Sequence, residues 1–171
     1  MRSTAGTRAA DRQAARHEAA HAVVAARLGL PLVYADIVDR PHRSGRTRLR
    51  KAAEANPAAC ATVAAAGVVA ERDRRAEFWH VPFTAPTATD VVVLARCAVR
   101  VGVLRSWRDL EEDPAFGPWA TAAVRRARAL LRRDSGAAWR RVTAALIREH
   151  RLSGAAIYAL VRRRPATVGR H

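Results

Sequence analysis

The sequence is poor in aromatic residues and cysteine. Phe, Trp and Tyr make up 5% of its 171 residues, whereas Ala dominates the apolar half, which disfavours a sheet sandwich and favours closely packed helices. Its two cysteines, Cys60 and Cys97, fall on predicted helices without the spacing of a metal site. We interpret them as small buried residues of a protein in a reducing compartment.

Long apolar runs are also missing. No stretch of 18 or more apolar residues occurs, so no membrane span is predicted. The first residues, Met-Arg-Ser-Thr-Ala-Gly, lack the apolar core of a signal peptide, and the expected location is therefore cytoplasmic. The length fits one domain, which we place at 1–163, followed by a basic tail at 164–171.

Basic residues are abundant and almost all of them are Arg. The net charge is +16, and Lys51 is the single lysine among 31 basic residues. Such a surplus is compatible with an acidic partner, including nucleic acid. A genome with biased base composition would give the same Arg and Ala content, so charge alone does not assign a function.

The apolar patterns and turn residues predict mostly helices with one hairpin. Four helices have a predicted N-cap residue, in chain order Asn56, Thr89, either Asp134 or Ser135, and Ser153. The predicted helices are Ala9–Leu28, Pro57–Asp73, Asp90–Leu104, Trp119–Arg133, Ser135–His150 and Ser153–Arg163; the strands are Leu32–Val38 and Thr47–Arg50; the irregular segments are 74–88 and 106–118.

The most informative motif is His-Glu-Ala-Ala-His at residues 17–21, in the middle of the first predicted helix. Two imidazoles four residues apart lie one turn above each other, so His17 and His21 can bind one metal ion. Glu18 projects beside them, where a carboxylate can serve as general base toward water, as in zinc metalloproteases. The alternative is a solvated face of an Arg-rich helix, which the apolar flanks of the motif disfavour.

A catalytic zinc site needs a third protein ligand. The sequence leaves His42, His80, His150 and the carboxylates open as candidates. The most attractive acid is Asp90, because a first-turn carboxylate can project from the helix end into a cleft. Its alternative role is only to stabilise the helix dipole.

Four segments in register give a wider resemblance. The peptidase domain of FtsH-type zinc metalloproteases is similar to this chain in four segments: HEAAHAVVAA (17–26), CATVAAAGVVAE (60–71), TATDVVVLARCAVRVG (87–102) and the C-terminal helices around Leu152-Ser153-Gly154. The resemblance covers about Arg12 to Val161. It implies a mainly α, zincin-like domain with a small hairpin or sheet after the HExxH helix.

The resemblance also implies roles for individual residues. His17, His21 and Asp90 would bind Zn²⁺, Glu18 would be the catalytic base, and Glu71 would orient a liganding imidazole. For Glu71 the alternative is a solvated helix terminus. Independently of the resemblance, Tyr34, Trp79 and His80 are weaker candidates for lining a substrate cleft, and each of them could instead be a packing residue.

The departures from that family bear on function. There is no G-x-x-x-x-G-K-[ST] phosphate loop, Ala20 replaces the usual Gly of the motif, and the segment before Asp90 contains no Gly. We therefore expect a zinc peptidase without a fused AAA+ ATPase. It would cleave flexible or unfolded polypeptides, or use a separate ATPase partner. The alternative is a catalytically silent basic adaptor that binds nucleic acid or an acidic protein. The sequence leaves the oligomeric state open.

Overall fold

Helix α1 runs through the centre of the molecule and carries the His-Glu-Ala-Ala-His motif. The computed structural model describes residues 4–37, 45–71, 88–109 and 113–163. Its helices are α1 Thr4–Arg27, α2 Pro57–Glu71, α3 Ala88–Arg100, α4 Phe116–Arg132, α5 Ala137–Glu149 and α6 Gly154–Arg162; its strands are β1 Leu32–Asp36, β2 Arg46–Leu49 and β3 Arg151–Ser153. Short 3-10 helices lie at Lys51–Ala55, Trp107–Asp109 and Arg133–Gly136. The prediction of a mainly α fold with a small sheet is confirmed.

The core forms where α2 packs against α1, α3 and α4. Most of α2 is buried, and its side chains are nearly all small, mainly Ala with three Val and one Gly. Small side chains let helix backbones approach closely, although each such residue buries only a small apolar side chain. The tight packing of α2 on α1 determines the geometry of the site described below.

The sheet is antiparallel, with strand order β2-β1-β3. The predicted hairpin is therefore present, although β1 ends at Asp36 and β2 begins at Arg46. Strand β3 was not predicted, because its three residues show too little alternation to be detected. Ser153 ends β3, and its side chain also caps α6 by accepting a hydrogen bond from the Ala156 amide, as predicted.

Several predicted helix ends were wrong by a few residues. Helix α3 begins at Ala88, so Thr89 lies inside the first turn and does not cap it, and α3 ends at Arg100 before Gly102 with φ of 76°. Helix α4 begins at Phe116, three residues before the predicted Trp119. Asn56 caps α2 as predicted, since its side-chain oxygen accepts from the Ala59 amide at 3.0 Å.

The connection between α4 and α5 also differs from the prediction. Asp134, Ser135 and Gly136 have φ values of 49°, 53° and 74°, so α5 begins at Ala137, two residues after the predicted start. Ser135 does not cap it. Asp134 still satisfies one amide in the first turn of α5, because one of its carboxylate oxygens accepts a hydrogen bond from the Ala138 amide at 3.3 Å.

Three side chains from the C-terminal half fix α1 and the turn that follows it. Trp139 donates from its indole nitrogen to the Arg16 carbonyl at 2.9 Å, next to the His-Glu-Ala-Ala-His motif. Arg27 pairs with Asp134 at 2.6 Å and donates to a carbonyl of α4, while Tyr158 donates to the Leu30 carbonyl. These contacts hold α1 in position against α4, α5 and α6.

Among the described residues, no helix combines the length and the apolar character needed to span a bilayer.

Candidate metal centre

Three potential ligand atoms from two helices meet at one point. The rings of His17 and His21 of α1 are nearly perpendicular, at 79°, with centroids 4.6 Å apart, and their Nε2 atoms are separated by 3.0 Å. Oδ2 of Asp90, in the first turn of α3, lies 3.2 Å from Nε2 of His17 and 3.3 Å from Nε2 of His21. Among the described residues, these three form the group that could hold a metal ion.

The spacing of these atoms fits a tetrahedral ion. Ligand atoms placed about 2.0–2.1 Å from a tetrahedral Zn²⁺ lie about 3.3 Å from one another. The three measured separations are 3.0, 3.2 and 3.3 Å. Three corners of one small tetrahedron are therefore supplied by the protein, as in catalytic zinc sites that keep the fourth position for water or substrate.

Helix α2 orients both imidazoles through their other ring nitrogens. Nδ1 of His21 donates to the Val63 carbonyl at 2.7 Å, and Nδ1 of His17 lies 2.8 Å from Oε1 of Glu71. The first contact is a well-formed hydrogen bond, whereas the second is close but not aligned as one. A contact at Nδ1 leaves Nε2 as the ligand atom, so both rings present Nε2 toward Asp90.

Hydrogen bonding within the protein does not account for the position of Asp90. Its Oδ2 atom is buried and has no hydrogen-bond partner, although two imidazole nitrogens lie within 3.3 Å. A buried carboxylate oxygen without a partner costs free energy, and a shared cation would satisfy it. The residues present thus fit a divalent cation.

The charges of the cluster lead to the same conclusion. Burial lowers the pKa of His17, but Asp90 and Glu71 outweigh it and raise that pKa to about 10. Burial also lowers the pKa of His21, but Asp90 raises it by more, so that the pKa lies above its ordinary value. Burial raises the pKa of Asp90, but His21 and His17 lower it well below its ordinary value. Carboxylates therefore draw positive charge to this point, even though the whole chain carries a net charge of +16.

Glu18 lies beside the ligands and is held by β2. Its side chain is 7% exposed, and Oε2 accepts a hydrogen bond from Thr47 Oγ1 at 2.7 Å. The same hydroxyl lies 3.0 Å from the Glu18 carbonyl oxygen. Gly45 allows the backbone before β2 to approach, because a Cβ there would lie 2.7 Å from Glu18 Cγ. The carboxylate is therefore fixed on the side of α1 that faces β2.

The structure brings together most of the residues predicted for the site and places others elsewhere. His17, Glu18, His21, Glu71 and Asp90 are neighbours in it. Tyr34 lies in β1 with the Arg151 guanidinium 4.3 Å above its ring, and its role in a cleft stays a prediction. The predictions for His42, Trp79 and His80 lie outside the described residues. His150, another candidate ligand, is exposed at the end of α5 and does not belong to the cluster.

Sequence reasoning missed Thr47, the Val63 carbonyl and Gly67. Thr47 was recognised only as the start of a strand, and a backbone carbonyl leaves no signature in a sequence. The signal that could have revealed the α2 contribution is spacing, because Val63, Gly67 and Glu71 are four residues apart and share one face of the helix. No protein-family model and no curated protein matches this chain.

Proposed function

We propose that this protein is a zinc-dependent metalloendopeptidase that hydrolyses flexible or unfolded polypeptides. One observation carries the proposal: three ligand atoms converge with tetrahedral spacing while Glu18, adjacent in sequence, is held beside them by Thr47. A purely structural metal site needs no carboxylate held next to its ligands. The resemblance of the four sequence segments to FtsH-type peptidases supports the same assignment.

His17, His21 and Asp90 would hold the ion, and Zn²⁺ when bound supplies Lewis acidity toward the scissile carbonyl. Glu18 would take a proton from the attacking water and deliver it to the leaving amine. Thr47 keeps one oxygen of that carboxylate in a fixed position, so the other oxygen is the one available for proton transfer. Glu71 and the Val63 carbonyl maintain the ring orientation throughout.

The position of strand β2 at the edge of the sheet suggests how a substrate could bind. It is an outer strand of the described sheet, and Thr47 within it contacts Glu18. An extended peptide added to this edge would run past the catalytic carboxylate. We therefore propose that the polypeptide substrate binds by strand addition. Folded substrates would require an unfolding activity, which a separate ATPase partner could supply.

A basic adaptor domain remains the second candidate, and one observation favours it. Four exposed arginines lie on α4 opposite its buried Ala and Leu side chains, and a fifth directly follows the helix: Arg125, Arg126, Arg128 and Arg132, then Arg133. Such a face could attract nucleic acid or an acidic protein in a salt-dependent manner. The held Glu18 favours catalysis, because an adaptor would not need a positioned base.

Zinc content and proteolysis of a casein-like substrate, measured on the same samples, test the proposal. The purified chain should contain one zinc per molecule and digest the substrate, and the chelated protein should be inactive until zinc is restored. Glu18→Gln should retain zinc and lose roughly 10²–10⁴-fold in rate. Glu54→Gln, which changes an exposed glutamate of the 3-10 helix before α2, is the matched control and should be fully active.

Two results would contradict the proposal. Full activity in Glu18→Gln would exclude the assigned base. A zinc-free protein without peptidase activity, whose binding to duplex DNA weakens steeply with salt, would instead identify the basic adaptor.

A further inference from the structure

Gly67 lies directly against Asp90, His17 and His21, in the middle of the buried helix α2. A Cβ built on it would lie 2.2 Å from Asp90 Oδ2, 2.6 Å from His21 Nε2 and 2.6 Å from His17 Cε1. All three separations are far below the contact distance of non-bonded atoms. The point where the ligands converge is therefore the space that any side chain at position 67 would occupy.

This glycine is not explained by backbone conformation. Gly29, Gly102 and Gly136 have positive φ values of 69°, 76° and 74°, whereas Gly67 is not among the glycines with positive φ. Within a helix, Gly is less favourable than Ala because it loses more conformational freedom on folding. Ala64, Ala65 and Ala66 precede it, so the same helix uses Ala at neighbouring buried positions. A steric requirement at position 67 accounts for the exception.

We infer that Gly67 is a positioning residue that makes room for the cation and for the Asp90 carboxylate, so that the bare backbone of α2 forms one wall of the metal site. This inference rests on the proposed metal site and adds a residue to it. Gly67 supplies no ligand atom. It acts by leaving vacant the volume into which His17, His21 and Asp90 direct their ligand atoms.

The three neighbours differ in how readily they can move. The His21 ring is held by its bond to the Val63 carbonyl, and the His17 ring contacts Glu71. Asp90 Oδ2 has no hydrogen bond to hold it and belongs to the closest contact. A methyl group at position 67 should therefore displace the Asp90 carboxylate first, so that the variant loses the third ligand while both imidazoles stay in place.

The test is Gly67→Ala, with zinc affinity measured by chelator competition and thermal unfolding measured with and without zinc. Affinity should fall at least about a hundredfold, and the stabilisation of the protein by added zinc should largely disappear. Gly117→Ala, a glycine-to-alanine change in α4, is the matched control and should bind zinc as the unchanged protein does. Neither measurement depends on peptidase activity.

A double variant shows whether Gly67 acts through Asp90. If the methyl group only displaces Asp90, adding Gly67→Ala to Asp90→Ala should reduce zinc affinity by less than threefold beyond Asp90→Ala alone, because the displaced ligand is already absent. If the methyl group also fills the space of the cation, the further loss should be larger. If Gly67→Ala fails to fold, folding should return in the Asp90→Ala background. Failure to fold in both backgrounds would overturn the inference, since the methyl group would then disturb helix packing regardless of Asp90.

The outcomes separate this inference from the proposed function. One zinc in the unchanged protein and equal affinity in Gly67→Ala would overturn the role of Gly67 and leave the metal site standing. Absence of zinc from the unchanged protein under metal-replete conditions would overturn the metal site itself, and the inference with it.

Discussion

Thr47 donates a hydrogen bond from Oγ1 to Oε2 of Glu18 at 2.7 Å, across 29 positions of the sequence. It joins the outer strand β2 to the motif helix α1. Hydrogen bonds to charged groups are worth more than neutral ones, roughly 1.5–3 kcal/mol. The strand that we propose to bind substrate therefore also fixes the proposed base.

Replacing Thr47 by Val removes the hydroxyl and keeps the shape of the side chain. We expect peptidase kcat to fall by roughly tenfold or more, with zinc content unchanged, because Glu18 loses the bond that orients it. Thr47→Ser keeps the hydroxyl and should restore most of the rate. Steady-state kinetics on one fluorogenic peptide compares the variants, and equal kcat in Val and Ser variants would show that the hydroxyl has no role.

Glu71 is expected to affect metal binding without being a ligand. Its carboxylate lies 2.8 Å from Nδ1 of His17, so Glu71→Ala should leave that ring less well oriented. Loss of such an outer partner typically lowers metal affinity 10–100-fold. Zinc affinity measured by chelator competition checks this, with Glu54→Ala as the exposed control. Unchanged zinc affinity in Glu71→Ala would show that Glu71 only ends the helix and has no role in metal binding.

The metal-free protein should lose stability as pH rises. The pKa of His17 is raised from 6.5 to about 10 by Asp90 and Glu71 despite burial, so the folded state binds the proton more tightly than the unfolded state. This contribution is fully present below pH 6.5 and disappears as pH rises through about 10. Zinc requires unprotonated imidazoles, so stabilisation by zinc should grow over the same range. Thermal unfolding at several pH values should therefore show a midpoint that falls with pH in the presence of chelator and stays nearly level with zinc bound, so that the difference between the two widens.

Gly154 should be intolerant of a side chain for a reason unrelated to the metal. At the start of α6, a Cβ on it would lie 2.0 Å from the Leu32 carbonyl oxygen, which belongs to rigid strand backbone. We expect Gly154→Ala to destabilise the fold by roughly 1–3 kcal/mol. Ala155→Gly, at the exposed next position, should cost only about 0.5–1 kcal/mol. Denaturant unfolding of both variants measures the difference.

The presence of the helices and the pairing of His17 with His21 could be predicted because both depend on local spacing. The four-residue separation of His17 and His21 on an apolar helix predicts a shared ion without tertiary information. Asp90 was harder, because its distance from the histidines depends on how α2 and α3 pack. Its place in the first turn of a helix made it the most attractive acid, and the resemblance implied it as the third ligand. The structure places its Oδ2 within 3.3 Å of both Nε2 atoms.

What the sequence did not reveal depends on contacts between distant segments. Thr47 reaches Glu18 only after the hairpin folds onto α1, and the three residues of β3 form a strand only because β1 is available to pair with them. Gly67 resembled any other small residue of an apolar helix. Its importance comes from what lies opposite it, and no periodicity encodes that.

The indole of Trp139, bonded to the backbone at Arg16, has a practical consequence for anyone shortening this chain. Every atom proposed to handle zinc or protons precedes residue 91, so a fragment ending after α3 would contain the full set of reactive groups. It would lack the hydrogen bonds and the ion pair by which Trp139, Asp134 and Tyr158 hold α1 and the turn after it. We expect such a fragment to be inert, which makes the remaining two-fifths or so of the polypeptide a scaffold for the proposed chemistry, in which it takes no direct part.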